Sequence, residues 1–334
     1  MCAAGIKALR RIQIVKEQTH GLAVTTATAR LIGKLSMKQD QKYYRPDDLE
    51  TGKLSSFERS HPISEEMSGA FESDANFEQL GYLLGMTVKG GITPTGPTDS
   101  AYLWSFVPNL TSANNPDSYT IQYGDDIQAF ISAFCYGKDL EISGTMEDVL
   151  KVKSNLAGQN VRTGTFTSLS NPTSLTPIPM ATGKLYIDTT WAGLGGSNVA
   201  GTLVDFAYKV TPGITPIKYA DGAIHFTDRA EKKRHVELDV TFAFTAGVAG
   251  YYANFIASPQ SKLFTRLKFT GPKIGATTGF NELSLDGAFI VDDFDTLTER
   301  DGQDIVKLKL ISEYDTVGSA EWQILLTNAL ATMP

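Results

Sequence analysis

The feature that most constrains this chain is a strand that runs directly into a helix, a unit that occurs twice. In "ELDVTFAFTAGVAGYYANFIASPQ", residues 237–260, apolar residues at alternate positions from 236 to 244 have the period of a strand with one buried face. Thr245 then stands at an N-cap position, apolar residues between 248 and 256 recur at helical spacing, and Pro259 ends the run. The segment predicts a strand followed by a short amphipathic helix.

The same order of elements is predicted for "EEMSGAFESDANFEQLGYLLG", residues 65–85. Here Ser73 or Asp74 can cap a helix, an apolar stripe follows the cap, and Gly85 can end the helix. In addition, "LEISG" at 140–144 matches "LSLDG" at 283–287, and Gly-Gln follows at 158 and at 302. These matches predict an internal duplication.

The length of 334 residues suits two domains of about 150 residues each. We predict a first β domain at 1–165, a linker at 166–183 and a second β domain at 184–334. The first copy is the longer one, and its excess falls at 91–118, a stretch rich in Pro, Gly, Asn, Ser and Thr. We expect an inserted surface loop there, with one apolar patch formed by Tyr102, Leu103, Trp104 and Phe106.

Composition narrows the fold class and the possible partners. Thirty Gly and 14 Pro, with many Thr, Val, Tyr and Phe, favour a mainly β protein: two tandem β-sandwich or barrel folds, each with a short flanking α-helix. The formal charge of −7 argues against a basic surface that captures nucleic acid. Since no window approaches 18 apolar residues, we expect no membrane span.

The sequence has no recognisable constellation for catalysis or metal binding. The four histidines lack metal-ligand spacing, and the nucleophile-elbow, Walker and zincin motifs are missing. "WAGLGGSN" fails the dinucleotide fingerprint because Asn198 occupies the place of the third Gly. We therefore predict a protein that is not an enzyme and needs no cofactor or metal.

Seven carboxylates within 19 residues, with Arg300 as the single base among them, form the sharpest charge feature of the sequence. The spacing is not that of an EF-hand calcium loop, and paired catalytic carboxylates would need a cleft. Two interpretations stay open: a solvated hairpin face, or an acidic lumen or rim past which another polyanion slides. The seven residues are Asp286, Asp292, Asp293, Asp295, Glu299, Asp301 and Asp304.

Four stretches carry a family likeness. They are "KALRRIQIVKEQTHGLAVTT", "LEISGTMEDVLKVKSNLAG", "TLVDFAYKVTPGITPIKYADG" and "LSLDGAFIVDDFD" with the following "DGQDIVKLKL". Together they resemble the tail tube (major tail) proteins of long, flexible-tailed bacteriophages, in the duplicated branch of that family. The likeness spans the whole chain and is one of pattern and order.

The resemblance implies a structural virion protein, made in the host cytoplasm and located in the phage tail. Each β-sandwich would join its inner sheet to those of its neighbours, so that three subunits close a pseudo-hexameric ring around a channel, and rings would stack into the conduit for DNA ejection. Its partners would be further copies of itself, a tape-measure protein and the tail tip and terminator proteins, and DNA would pass through the lumen without specific binding.

By position, the loop that reaches the neighbouring ring in this family falls at 34–59, and its counterpart in the second fold falls at 211–222. The candidate inter-ring residues are Lys38, Asp40, Lys42, Arg45, Asp47, Asp48, Glu50 and Lys53. The rival interpretation is a tandem β-domain adhesin or receptor-binding module of a phage tail, in which Tyr102, Trp104 and Phe106 form a ligand patch.

Overall fold

A computed structural model describes residues 5–46, 59–172 and 174–333. Over these ranges the protein is mainly β, as predicted, and the strands pair antiparallel. The described strands do not form a closed barrel. The α-helices of this part are α1 (Leu80–Thr87) and α2 (Ala246–Phe255), and neither is long and apolar enough to cross a bilayer.

The strands divide between two halves of the chain. Those of the first half are β1 (Arg11–Lys16), β2 (Ala29–Leu31), β3 (Lys34–Tyr44), β4 (His61–Asp74), β5 (Thr95–Thr98), β6 (Ala101–Phe106), β7 (Tyr119–Gly124), β8 (Ala129–Gly137), β9 (Leu140–Thr145), β10 (Lys151–Gly158) and β11 (Arg162–Gly164). Those of the second half are β12 (Gly183–Asp188), β13 (Leu203–Thr211), β14 (Ile214–Ile217), β15 (Asp228–Glu231), β16 (His235–Ala243), β17 (Leu263–Lys273), β18 (Phe280–Arg300), β19 (Gln303–Ser312) and β20 (Trp322–Asn328).

Strand pairing arranges these elements in three connected layers and a separate β14–β15 hairpin. The first sheet has the order β2-β1-β7-β8-β11. The central sheet has the order β3-β4-β10-β9-β13-β16-β19-β18. The third sheet has the order β12-β17-β18-β20-β6-β5, and β18, which is 21 residues long, passes from the third sheet into the central one.

The two halves repeat one strand order. β1-β7-β8-β11 in the first sheet corresponds to β12-β17-β18-β20 in the third, and β3-β4-β10-β9 corresponds to β13-β16-β19-β18 in the central sheet. A helix follows β4 and another follows β16. The first part of β18 therefore corresponds to β8, and its last part corresponds to β9. "LEISG" lies on β9, whereas "LSLDG" lies on the first part of β18. The predicted alignment of these two stretches therefore has the wrong register, because it pairs strands that are not equivalent.

Helix α1 differs from the amphipathic helix predicted for it. All eight of its residues are buried, and it begins at Leu80 and continues beyond Gly85 to Thr87. The side chain at the turn before it is Asn76, whose Oδ1 accepts a hydrogen bond from the Gln79 N–H at 2.8 Å. The helix has no exposed face because the end of the second half covers it: a Cβ at Gly81 would lie 2.0 Å from Met333 Cε.

Helix α2 confirms its predicted N-cap but not its predicted buried stripe. The Thr245 hydroxyl accepts a hydrogen bond from the Val248 N–H at 3.4 Å. Val248 is the buried residue of this helix, whereas Tyr252 and Ile256 are 46% and 64% exposed. The apolar periodicity is therefore correct, but much of the stripe faces solvent.

The segment predicted as an inserted surface loop contains a buried strand instead. β6 pairs with β20 from Phe106 opposite Ile324 to Tyr102 opposite Asn328, and so adds a first-half strand to the third sheet. Trp104 and Phe106 are 3% and 1% exposed, since the alternation in "AYLWSF" turns both into the core. Trp104 and Phe106 of the predicted apolar patch are thus part of the interior, whereas Tyr102 and Leu103 are half-buried.

Candidate assembly interface

The central sheet crosses from one half of the chain to the other between β9 and β13. Six residue pairs join these strands, from Thr145 opposite Asp205 to Leu140 opposite Val210. Ile142 and Tyr208, which are opposite each other, are fully buried. β9, the last strand of the group β3-β4-β10-β9, thereby pairs with β13, the first strand of the group β13-β16-β19-β18. The hydrophobic core continues across this junction.

A second contact between the halves comes from the β14–β15 hairpin. Phe226 is fully buried against Phe134 and Tyr136, with ring centroids 5.2 Å and 5.9 Å apart, and the Ile224 carbonyl accepts a hydrogen bond from the Glu65 N–H at 2.9 Å. The segment 211–222, expected to reach a neighbouring ring, contains β14 of this hairpin. Its Lys218 Nζ lies 2.5 Å from Ser64 Oγ of the same chain.

The carboxylate of Glu65 is the polar centre of that contact, with a side chain only 3% exposed. Its oxygens accept hydrogen bonds from Arg162 at 2.6 Å, Asn160 at 3.1 Å and Gln39 at 3.2 Å, and His225 Nδ1 lies 3.3 Å away. Burial alone would raise the pKa of Glu65, but these donors and the Arg162 charge lower it below its ordinary value. No sequence motif marks this network, because its members are far apart along the chain.

Charges of alternating sign cross the solvent face of the central sheet. Cross-strand neighbours on this face form a row from β3 to β16: Lys34, Glu72, Lys153, Glu141, Lys209 and Glu237. Opposite charges directly across antiparallel strands are stabilising, and like charges there are destabilising. The alternation continues without a break through the β9–β13 junction.

Two further rows on the same face reach the end of the sheet at β18. In one, Asp239 is opposite Lys309, which is opposite Asp293; in the other, Lys307 is opposite Asp295. Lys209 Nζ lies 2.5 Å from Asp239 Oδ2, and Asp239, followed by Glu141 and Glu237, raises the pKa of Lys209. The rows therefore end in carboxylates on β18.

The other end of the sheet, β3, presents lysines. Lys34, Lys38 and Lys42 are spaced four residues apart and share the solvent face. Among the described residues, no strand pairs with β3 beyond β4, or with the last part of β18 beyond β19. The sheet thus has one basic open edge and one acidic open edge.

The structure separates the predicted inter-ring residues into three groups. Lys38, Asp40 and Lys42 lie on β3, and Arg45 follows it with its guanidinium 5.4 Å from the Tyr43 ring centroid. Asp40 forms an ion pair with Lys38 and accepts a hydrogen bond from Ser68 Oγ at 2.5 Å, and both contacts lower the pKa of Asp40. Outside the described residues lie Asp47, Asp48, Glu50 and Lys53.

One residue of the predicted acidic cluster, Asp286, does not lie with the others on the surface. The exposed residues of the cluster, all on the β18–β19 hairpin, are Asp292, Asp293, Asp295, Glu299, Asp301 and Asp304. Asp286 is fully buried, because it lies on the part of β18 that is central in the third sheet. It binds Arg266 through two hydrogen bonds of 2.7 Å and 2.8 Å, and Gln323 donates a third of 2.8 Å.

No protein-family model matches the chain, and no curated protein matches it. Within the described ranges, no group of three or more His, Cys, Asp and Glu side chains is placed to hold a metal ion. The features that remain for a functional argument are the two open edges of the central sheet and its charged face.

Proposed function

We propose that this chain is a self-assembling structural protein of a phage tail, whose copies join through the edges of the central sheet into rings that stack as the tail tube. Each half would be one tube fold, and three chains would close a pseudo-hexameric ring. The lumen would conduct DNA at ejection, and the tape-measure, tip and terminator proteins would be the other partners. The resemblance in sequence names this family, and three observations support the proposal.

The first observation is the junction inside the chain. β9 and β18 occupy the same place in the two halves, and so do β3 and β13. Within the chain, β9 of the first half pairs with β13 of the second half. If the next copy follows the second half as the second half follows the first, β18 of one copy pairs with β3 of the next. Such a contact is head to tail, and head-to-tail contacts give rings when the rotation closes. Closure would also pair both open edges, which are otherwise templates for aggregation.

The second observation carries the proposal: the charge alternation that crosses the internal junction would continue across the junction between copies. Inside the chain, acidic Glu141 on β9 is opposite basic Lys209 on β13. Between copies, Asp293 and Asp295 on β18 would meet the lysines of β3. Two edges of opposite charge attract each other, whereas two identical edges repel, so the charges favour the head-to-tail order.

The third observation concerns the channel. The charged face of the central sheet is the one left open, because the first and third sheets and the core lie on its other face. A ring of such sheets would line its lumen with this face. Several of its lysines are held by carboxylates, as Lys151 is by Asp74 at 2.7 Å and Lys209 by Asp239 at 2.5 Å. Acidic and basic side chains alternate on this face, so it is not the uniformly basic surface that captures a phosphate backbone, which suits a conduit.

A charge swap at the two edges tests the proposal. The variant Lys38→Glu/Lys42→Glu changes two lysines that lie opposite serines of β4. It should assemble at about 2- to 30-fold higher concentration than the wild type, since two exposed pairs contribute about 0.4–2 kcal/mol in total and each 1.4 kcal/mol is tenfold. Adding Asp293→Asn/Asp295→Asn to the same chain removes the carboxylates that would repel the introduced glutamates, without facing Lys309 and Lys307 with new lysines, and should restore assembly in part. Negative-stain electron microscopy and sedimentation across a concentration series report rings, tubes and the critical concentration.

The matched control is Lys232→Glu/Lys233→Glu, which makes the same change in charge at two exposed residues of the loop before β16. This control should assemble like the wild type, and melting curves should show that every variant is folded. A wild-type protein that stays monomeric at high concentration, or a four-fold variant that fails to regain assembly, would argue against the proposal. The adhesin interpretation is weakened, because two of its three patch residues, Trp104 and Phe106, are buried.

A further inference from the structure

The helix of the first half is covered by residues of the second half. Phe77, just before α1, is fully buried; Asn328 Nδ2 donates a hydrogen bond to its carbonyl at 2.8 Å, and a Cβ at Gly271 would lie 2.5 Å from its ring. On α1 itself, a Cβ at Gly81 would touch Met333 and Leu326. The cover therefore comes from the β17–β18 hairpin, from β20 and from the residues that follow β20.

The helix of the second half packs on its own sheet in the same way, but no such cover is present among the described residues. α2 contacts β18 just as α1 contacts β8 and β9, which occupy the equivalent places. Phe244, just before α2, is 40% exposed, in contrast to the buried Phe77. Tyr252 on the helix and Ile256 at its C-cap are also exposed. We call Phe244, Tyr252 and Ile256 the α2 patch.

The first half contains the counterpart of the covering elements. The β7–β8 hairpin corresponds to the β17–β18 hairpin, and β11 corresponds to β20, by their places in the two sheets. At this site two apolar side chains are exposed: Ile127 in the turn between β7 and β8, at 59%, and Phe130 on β8, at 39%. Phe130 is opposite Thr163 of β11. We call Ile127 and Phe130 the hairpin patch.

We propose that the α2 patch of one copy docks on the hairpin patch of the next copy, as α1 docks on the third sheet within a chain. The occupant is a second copy of this chain, since only the repeated strand order supplies the equivalent cover. The inference rests on the proposed function for the order of the copies. It assigns a second, apolar contact to the junction at which β18 meets β3, and it would cover the exposed apolar side chains of both patches.

Cross-linking between introduced cysteines tests this contact. The background is Cys2→Ser, because the one other cysteine, Cys135, is fully buried. The double variant Ile127→Cys/Ile256→Cys, treated with a short bismaleimide, should give a ladder of covalent oligomers on a denaturing gel. A mixture of the two single variants should stop at dimers, and each single variant alone should give none. Ile127→Cys/Val317→Cys is the matched control, since Val317 is 92% exposed and lies outside both patches.

Microscopy of the same samples separates this inference from the proposed function. Rings or tubes that form without the cross-link, with the thiol introduced at position 256 still labelled as fast as in the monomer, would overturn the contact and leave the tube proposal standing. A cross-linked ladder without rings or tubes would support the contact and overturn ring closure. Dimers from Ile256→Cys alone would overturn the head-to-tail order, and neither cross-links nor assemblies at any concentration would overturn both proposals.

Discussion

Replacing Trp104 by alanine tests whether β6 is a structural strand of the third sheet. The side chain is 3% exposed, and truncating a buried tryptophan costs about 3–5 kcal/mol. Its Nε1 also donates to Asn328 Oδ1 and to the Leu330 carbonyl, both at 3.2 Å. Because Asn328 Oδ1 keeps a hydrogen bond from the Leu330 N–H at 3.0 Å, the loss of these bonds adds only about 1 kcal/mol. We expect a total loss of about 4–6 kcal/mol.

That loss is comparable with the whole stability of many domains, which is about 5–15 kcal/mol. Urea denaturation should show a much lower midpoint for Trp104→Ala, and amide exchange at 322–328 should show that β20 loses protection first. Leu103→Ala is the matched control, since Leu103 is the half-buried neighbour on the other face of the same strand, and we expect about 1 kcal/mol. If Trp104→Ala costs no more than Leu103→Ala, β6 is not a structural strand of the third sheet.

Three further predictions concern other buried side chains. Phe242→Asp should abolish folding, because it puts an unpaired charge at a fully buried position. Phe242→Leu should only lower the melting temperature. Equal melting curves for the two variants would contradict the placement of Phe242 on the buried face of β16. Asp286→Asn should cost about 3 kcal/mol by leaving Arg266 partly unpaired, and the double variant with Arg266→Met should be less damaging in urea than the single one; strict additivity would count against a coupled pair. The pKa of Glu65 is lowered in the folded state, so the stability that its carboxylate contributes is present above its unfolded pKa and is lost as pH falls through the folded value. Glu65→Gln should therefore flatten the acid limb of a curve of stability against pH. An unchanged limb would refute the role of the bond between Glu65 and Arg162.

Local sequence signals predicted local structure well. The strand before α2 and the Thr245 cap depend on residues within a few positions of each other, and both are present. The burial of α1 and of Trp104 could not be predicted in this way, because the residues that cover them, such as Met333 and Asn328, are more than 200 positions away.

The same distinction applies to the candidate site. The acidic run was visible in the sequence, but its division into exposed residues and buried Asp286 depends on the passage of β18 from one sheet to another. The charge rows were hidden because each member lies on a different strand, and the register of eight strands is needed to align them. The duplication was inferred from similar letters, whereas strand order gives a different alignment of the two halves.

The pairing of β6 with β20 has a consequence for synthesis of the chain. Trp104 and its partner Asn328 are 224 residues apart, so at a translation rate of about 5–20 residues per second the ribosome needs roughly 11–45 s to make the second after the first. Throughout that interval the Trp104 indole lacks its hydrogen-bond partner Asn328. The third sheet then lacks β20, and it lacks β18 as well until that strand has been made. A nascent chain therefore cannot complete its third sheet before β20 has been made. In the proposed assembly, this order of synthesis keeps a chain from joining its neighbours before its third sheet has formed.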